Sequence, residues 1–132
     1  MRYLLDADWI IQVLAGHNEA VRAHKRINPQ EMALSYITIG EIYEVAFNSA
    51  NPQAHLQTFR QFIAPFTLLD LQEPLMERFA ELRSLLRRQG QLIPDFDLLI
   101  AATALYYDLT LLTYNVRQFG HIPDLKYYQP AA

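Results

Sequence analysis

The sequence predicts a three-layer α/β/α domain built on a central, mostly parallel sheet of about five strands. Three observations predict it. Short apolar runs alternate with longer helical stretches along the whole chain. The runs are apolar almost without interruption, which marks strands buried on both faces. No repeat, low-complexity segment or long linker breaks the alternation, so residues 1–132 read as one domain.

The first strand is Tyr3–Leu5. Asp8 is a good cap for a helix over 9–15, which Gly16 ends. A helix over 19–27 follows and stops at Asn28-Pro29. Met32–Ser35 reads as the second strand. Thr38-x-x-Glu41 is the pattern of a capping box and opens a helix over 38–50, closed by Asn51-Pro52. Pro52–Ile63 is a further helix, and 66–69 a strand. Residues 73–89 form a long amphipathic helix with Leu75, Phe79, Leu82, Leu85 and Leu86 on one stripe and Gly90 at its end. After Pro94 comes a helix over Asp95–Tyr107, then a strand over 109–113. A short helix near Val116 and an edge strand over 125–128 complete the pattern.

Composition narrows the function classes. An apolar fraction of 52% and a net charge of −3 describe a compact chain, not a disordered one. With no cysteine, disulfides, zinc thiolates and thiol catalysis are excluded, which fits a reducing cytoplasm. The N-terminus reaches Asp6 before an apolar signal core can form. The longest mainly apolar run, from Leu98 to Tyr107, is too short for a bilayer, so no membrane role is expected. A pI of about 5.7 argues against broad, non-specific nucleic-acid binding. Nine of the 11 basic residues are arginine, the better fork for phosphate, and Arg78, Arg83, Arg87 and Arg88 share one helix as a solvated face.

The chemistry lies in carboxylates at element ends. Asp6 directly follows the first strand, where a side chain points into the crevice at the carboxyl end of a parallel sheet. Asp8 reads as a helix cap that can also reach a metal through water. Glu41 reads locally as the reciprocal member of the capping box. Asp95 and Asp97 open a helix, where the dipole favours acids. Residues two apart face different ways, so Asp97 is assigned to the site and Asp95 to the cap or a supporting position. Thr113 and Asn115 end the last core strand, and Asn115 offers a neutral oxygen or a helix cap. The histidines 17, 24, 55 and 121 lack ligand spacing and read as surface or loop residues. Clustered carboxylates repel one another unless protons or cations neutralise them, and oxygen-only ligation suits Mg²⁺ or Mn²⁺.

Together these pieces resemble the PIN domain family, specifically its VapC-like ribonuclease toxins. The resemblance rests on the strand ending in Asp6 and on Ser35-x-Ile37-Thr38-x-x-Glu41. It rests also on Ile93-x-x-x-Asp97-x-x-Ile100-Ala101-Ala102-x-Ala104, on Leu109-Thr110-Leu111-Leu112-Thr113-x-Asn115, and on Phe119. It implies a PIN-like fold with Asp6, Glu41 and Asp97 as catalytic, metal-holding acids. Glu41 thereby becomes a site acid instead of a cap. Asp8, Asp95, Thr113 and Asn115 would support them. It further implies Mg²⁺ or Mn²⁺ as cofactor, RNA as substrate, a cognate antitoxin and a homodimer. Trp9, Ile10, Tyr43 and Phe47 are candidates for the apolar partner surfaces. The chain departs from the family pattern twice. Ala7 stands where the family commonly has Thr, and no acid follows Asn115 until Asp124, so Asp8 or Asp95 must supply any fourth charge.

Two alternatives compete with a metal-dependent ribonuclease. One is a non-catalytic PIN-like binding or regulatory module. The other is a haloacid-dehalogenase-type phosphatase, suggested by Asp6-Ala7-Asp8 but needing a lysine that Lys25 and Lys126 are poorly placed to provide.

Overall fold

The computed structural model describes residues 1–130. Five strands form one sheet in the order β3-β2-β1-β4-β5, with β1 Tyr3–Leu5, β2 Met32–Ser35, β3 Thr67–Leu69, β4 Thr110–Leu112 and β5 Tyr127–Tyr128. All four pairings are parallel, so the sheet is wholly rather than mostly parallel. Helices α1 Ala7–Leu14 and α2 Asn18–Lys25 connect β1 to β2. Helices α3 Tyr36–Phe47 and α4 Pro52–Ile63 connect β2 to β3, while α5 Glu73–Arg88 and α6 Asp95–Tyr107 carry the chain from β3 back to β4. A short α7, Val116–Phe119, leads into β5.

Strand alternation splits the core into two layers. Leu4, Ala33 and Leu111 point to the side covered by α5, α6 and α7, where they meet Leu82, Leu86, Leu98, Ala101 and Phe119. Leu5, Met32, Leu34 and Leu112 point the other way, toward Trp9, Ile10, Ile42, Leu56 and Phe59. Period-two alternation inside continuously apolar strands is what a sheet covered on both faces requires. Strand order grows one way from β1 to β3, then reverses to β4 and β5. Right-handed crossovers put the helices on opposite faces when the direction reverses. The crevice at the carboxyl ends of β1 and β4 is therefore the switch point where α/β sheets bind ligands.

Helix α6 is buried on nearly every side, through Leu98, Ile100, Ala101, Ala102, Thr103 and Ala104. Its alanines permit close approach to α5 and the sheet. The one polar member, Thr103, donates its hydroxyl to the Leu99 carbonyl at 2.7 Å, so it leaves no unpaired group in the core.

Several starting points differ from the sequence expectation. Helix α1 begins at Ala7, and its cap is Asp6, whose Oδ1 accepts from the Ala7 amide at 2.9 Å. Asp8 is thus inside the first turn and is not the cap. Helix α3 begins at Tyr36, capped by Ser35, whose Oγ accepts from the Ile37 amide at 3.0 Å. Thr38 and Glu41 lie within α3 and form no capping box. Trp9 and Ile10 are fully buried, so they present no partner surface, whereas Phe47 is 61% exposed. His24 is half-buried, stacks on Phe62 and accepts from Trp9 Nε1 at 3.2 Å, so it is no surface residue. No helix among the described residues is long and apolar enough to cross a membrane.

Candidate active site

Four carboxylates predicted from sequence meet in one cleft at the carboxyl end of the sheet. The cleft, of about 350 Å³, is lined by Asp6, Asp8, Glu41 and Asp97, with Glu44 and Asn115 at its edge. Each arrives by a different route. Asp6 ends β1. Asp8 sits in the first turn of α1, Glu41 projects from the second turn of α3, and Asp97 from the first turn of α6. The α6 burial described above fixes Asp97 against the sheet, and the Ser35 cap fixes where Glu41 falls on α3.

The loop after β4 locks two of these acids. Thr113, fully buried, donates its hydroxyl to Asp6 Oδ2 at 2.8 Å and accepts from the Asn115 amide at 2.9 Å. Its hydroxyl is also 3.5 Å from Asp8 Oδ1, but one proton cannot serve both, and the shorter contact takes it. Asp8 Oδ1 instead accepts from the Tyr114 amide at 3.1 Å. Sequence reasoning undervalued Asp8 because it directly precedes the helix expected over 9–15 and reads as its cap. The tie to Tyr114 is a long-range contact with no local signal. The same holds for Ile11, Val45 and Phe96, apolar residues that line the cleft beside the acids.

Asp95 does not join the cleft. Its Oδ1 accepts from Arg83 Nε at 3.0 Å on the outer face of α6, and it makes no capping bond. Asp8, not Asp95, therefore supplies the fourth charge in the cleft. Asn115 stands at the start of α7 without a side-chain cap bond, and lines the cleft.

The electrostatics are those of crowded, partly dehydrated acids. Burial first, and the Asp8 charge second, raise the Asp6 pKa from 3.8 to about 7, against the lowering effect of the Thr113 bond. Burial, then the charges of Asp97, Asp8 and Glu44, raise Glu41 from 4.5 to about 7. Asp8 is raised by burial, and Asp97 by burial and then by Asp8. Glu41 Oε1 is also buried without a hydrogen-bond partner, as is Thr38 Oγ1 one turn earlier. A buried oxygen acceptor left open among mutually repelling carboxylates fits an oxygen-seeking divalent cation. Among the described residues no three acids or histidines stand close enough together to hold a metal ion by themselves. Mg²⁺ accepts such a site, because it keeps several waters and takes one or two carboxylates directly.

No basic residue lines this cleft. Lys126 instead pairs with Asp108 at 2.9 Å on the β5 side. The lysine that a haloacid-dehalogenase-type phosphatase needs beside its Asp-x-Asp is thus missing from the site.

A family model described as PIN domain matches residues 3–125. Ribonuclease VapC2 of Haemophilus influenzae is 29% identical over 126 residues, spanning 96% of this chain and 96% of that protein. The tRNA(fMet)-specific endonuclease VapC of Salmonella typhimurium is 27% identical over 126 residues, again with 96% of each chain covered. Among solved structures, DNA-bound VapBC from Salmonella typhimurium matches with a TM-score of 0.90 at 26% identity, covering 98% of each chain.

Proposed function

We propose, from the premise that this chain belongs to the PIN domain family, that it is a metal-dependent endoribonuclease and the toxin of a toxin–antitoxin pair. The observation that carries the reading is the convergence of Asp6, Asp8, Glu41 and Asp97 on one cleft at the sheet's switch point. Full-length similarity to chains named ribonuclease VapC supports it. An antitoxin that covers the cleft, a homodimeric state and a cytoplasmic site of action belong to the same reading. The VapBC complexes among the structural relatives support the antitoxin.

Asp6, Glu41 and Asp97 are the residues to hold Mg²⁺ or Mn²⁺, with Asp8 and Asn115 acting through water. The bound cation supplies Lewis-acid polarisation of the scissile phosphodiester and an acidified water for in-line attack. The chain's own groups do the rest. Thr113 fixes the Asp6 carboxylate by its 2.8 Å bond, so one oxygen stays aimed into the cleft. The Tyr114 amide does the same for Asp8. Asp6 and Glu41, held protonated to about pH 7, release their protons as the cation binds.

The test is cleavage of a mixed RNA pool by purified protein with Mn²⁺ or Mg²⁺ and with EDTA, beside Asp6→Asn and Asp97→Asn. The expected result is metal-dependent cutting that falls at least about a hundredfold in both variants. Full cleavage by Asp97→Asn sinks the assignment. A folded wild type that neither cleaves RNA nor binds metal points to the non-catalytic module.

A further inference from the structure

The acidic cleft poses a problem for any RNA that enters it. Asp6, Asp8, Glu41, Glu44 and Asp97 line it, and no lysine or arginine does. A phosphodiester strand is repelled by such a wall beyond the one phosphate that a cation can bridge. Affinity must come from another surface. A hollow of about 630 Å³ lies on the α2 side of β4 and β5, and none of the cleft's acids lines it. Its charged liners, Arg26 and Lys126, are both cationic. Arg26 forms no ion pair among the described residues. Two tyrosine rings, Tyr3 and Tyr128, face it from the same side of the sheet as Thr110 and Leu112, whereas the Tyr127 ring turns to the α7 side beside Gly120. Tyr128, on the edge strand, is 43% exposed, and the Arg2 guanidinium sits 5.3 Å from the centroid of Tyr3.

We propose that this groove is a second RNA-binding site, which takes nucleotides of the substrate strand away from the scissile bond. The inference rests on the ribonuclease reading and adds to it a place where the strand is anchored. Aromatic faces beside cations are how single strands are held without base-specific contacts, the rings stacking on bases and the cations tracking phosphates; here Arg26 is the unpaired cation, and Lys126 is held by Asp108. The charge sign selects an anion, and the tyrosines select an anion that carries flat rings. A strand fits better than a free mononucleotide, because no glycine lines the groove and no phosphate-cradling loop is present there. The groove is also wired to the catalytic end. The Tyr128 ring lies 6.2 Å from Trp9, tilted by 58°, Trp9 lies 6.0 Å from Tyr114, and the Tyr114 amide holds Asp8.

Trp9 is the chain's single tryptophan, so it reports on the groove through its contact with Tyr128. The experiment titrates a fluorescently labelled single-stranded RNA of mixed sequence into Asp97→Asn protein in EDTA, so that nothing is cut. Anisotropy and Trp9 emission are followed together. Binding should perturb Trp9 emission. Tyr128→Ala should weaken binding at least about fivefold, and Tyr128→Phe, which keeps the ring, should restore it. Arg26→Gln should lower the slope of log affinity against log salt by about one. Unchanged affinity and salt slope in Tyr128→Ala and Arg26→Gln overturn the proposal, and leave the nuclease reading intact if wild type still cleaves. Equal affinity for adenosine monophosphate alone overturns it in favour of a small-nucleotide pocket. An acidic peptide that moves Trp9 emission where RNA does not overturns it in favour of a protein partner. Wild type that neither binds nor cleaves RNA removes both readings.

Discussion

Thr113 has one hydroxyl proton and two carboxylates within reach, and the choice it makes sets the chemistry of the cleft. The proton goes to Asp6 at 2.8 Å, where the bond works against the burial that pushes this acid up to about pH 7. Thr113→Val keeps the shape and removes the donor. Asp6 should then stay protonated to still higher pH, so the acidic limb of the pH–rate profile moves upward. Thr113→Ser should return it. The Asn115 amide also loses its acceptor in Thr113→Val, so the melting temperature should fall, by about 1–3 kcal/mol of stability. A pH profile that does not move in Thr113→Val would show that Asp6 does not control the reaction. Asp8 calls for a parallel variant. Because it supplies the fourth charge in the cleft, Asp8→Asn should weaken Mn²⁺ binding, roughly tenfold by calorimetry, while leaving the fold intact. Unaltered Mn²⁺ affinity would return Asp8 to the role of a helix-turn acid.

At the scale of elements, the site depends on where two helices start, and this is where local sequence reading had least to work with. Ser35, Thr38 and Glu41 are spaced by three, so either hydroxyl residue suits a cap. The sheet decides between them. Ser35 still pairs beside Leu69 in the β2–β3 ladder and the chain turns there, which makes Ser35 the cap and moves Glu41 into the second turn. Asp6 and Asp8 pose the same ambiguity, settled by β1 ending at Leu5. The α6 helix was legible to its ends, since Pro94 stops what precedes it and a left-handed Asp108 terminates it at φ 55°. The three principal acids were legible as a set only through the family pattern, because each by itself is an ordinary turn or cap residue. The Asp8–Tyr114 tie and the tyrosine groove join segments more than 100 residues apart, and no local pattern encodes them. Ser35→Ala tests the element. Losing the cap should cost about 1 kcal/mol, a melting shift of a few degrees. Metal affinity should weaken with it, since the first turn of α3 aims Glu41. A stability loss with unchanged metal binding would separate the cap from the site.

For the whole molecule, the cleft makes stability a function of pH and of cation together. Asp6 and Glu41 ionise near 3.8 and 4.5 when unfolded and near 7 when folded, and Asp8 and Asp97 shift the same way. Between about pH 4 and pH 7 the folded chain therefore holds more protons than the unfolded chain. Stability then falls as pH rises through that window, and levels off above it. Metal-free protein should accordingly melt lower at pH 8 than at pH 5.5, and Asp6→Asn should flatten the slope by removing one of the responsible groups. A bound cation reverses the sign, because it prefers the deprotonated acids. At a hundredfold excess over Kd, Mg²⁺ or Mn²⁺ adds about 2.7 kcal/mol, on the order of 5–10 °C in Tm. That gain should be large at pH 8 and shrink toward pH 5.5, where protons compete for the same oxygens. Thermal melts in EDTA and in Mn²⁺ at both pH values measure all of this in one series. If the metal-free melting temperature instead rises from pH 5.5 to 8, the four carboxylates are not crowded as the geometry has them, and the cation has no repulsion to relieve.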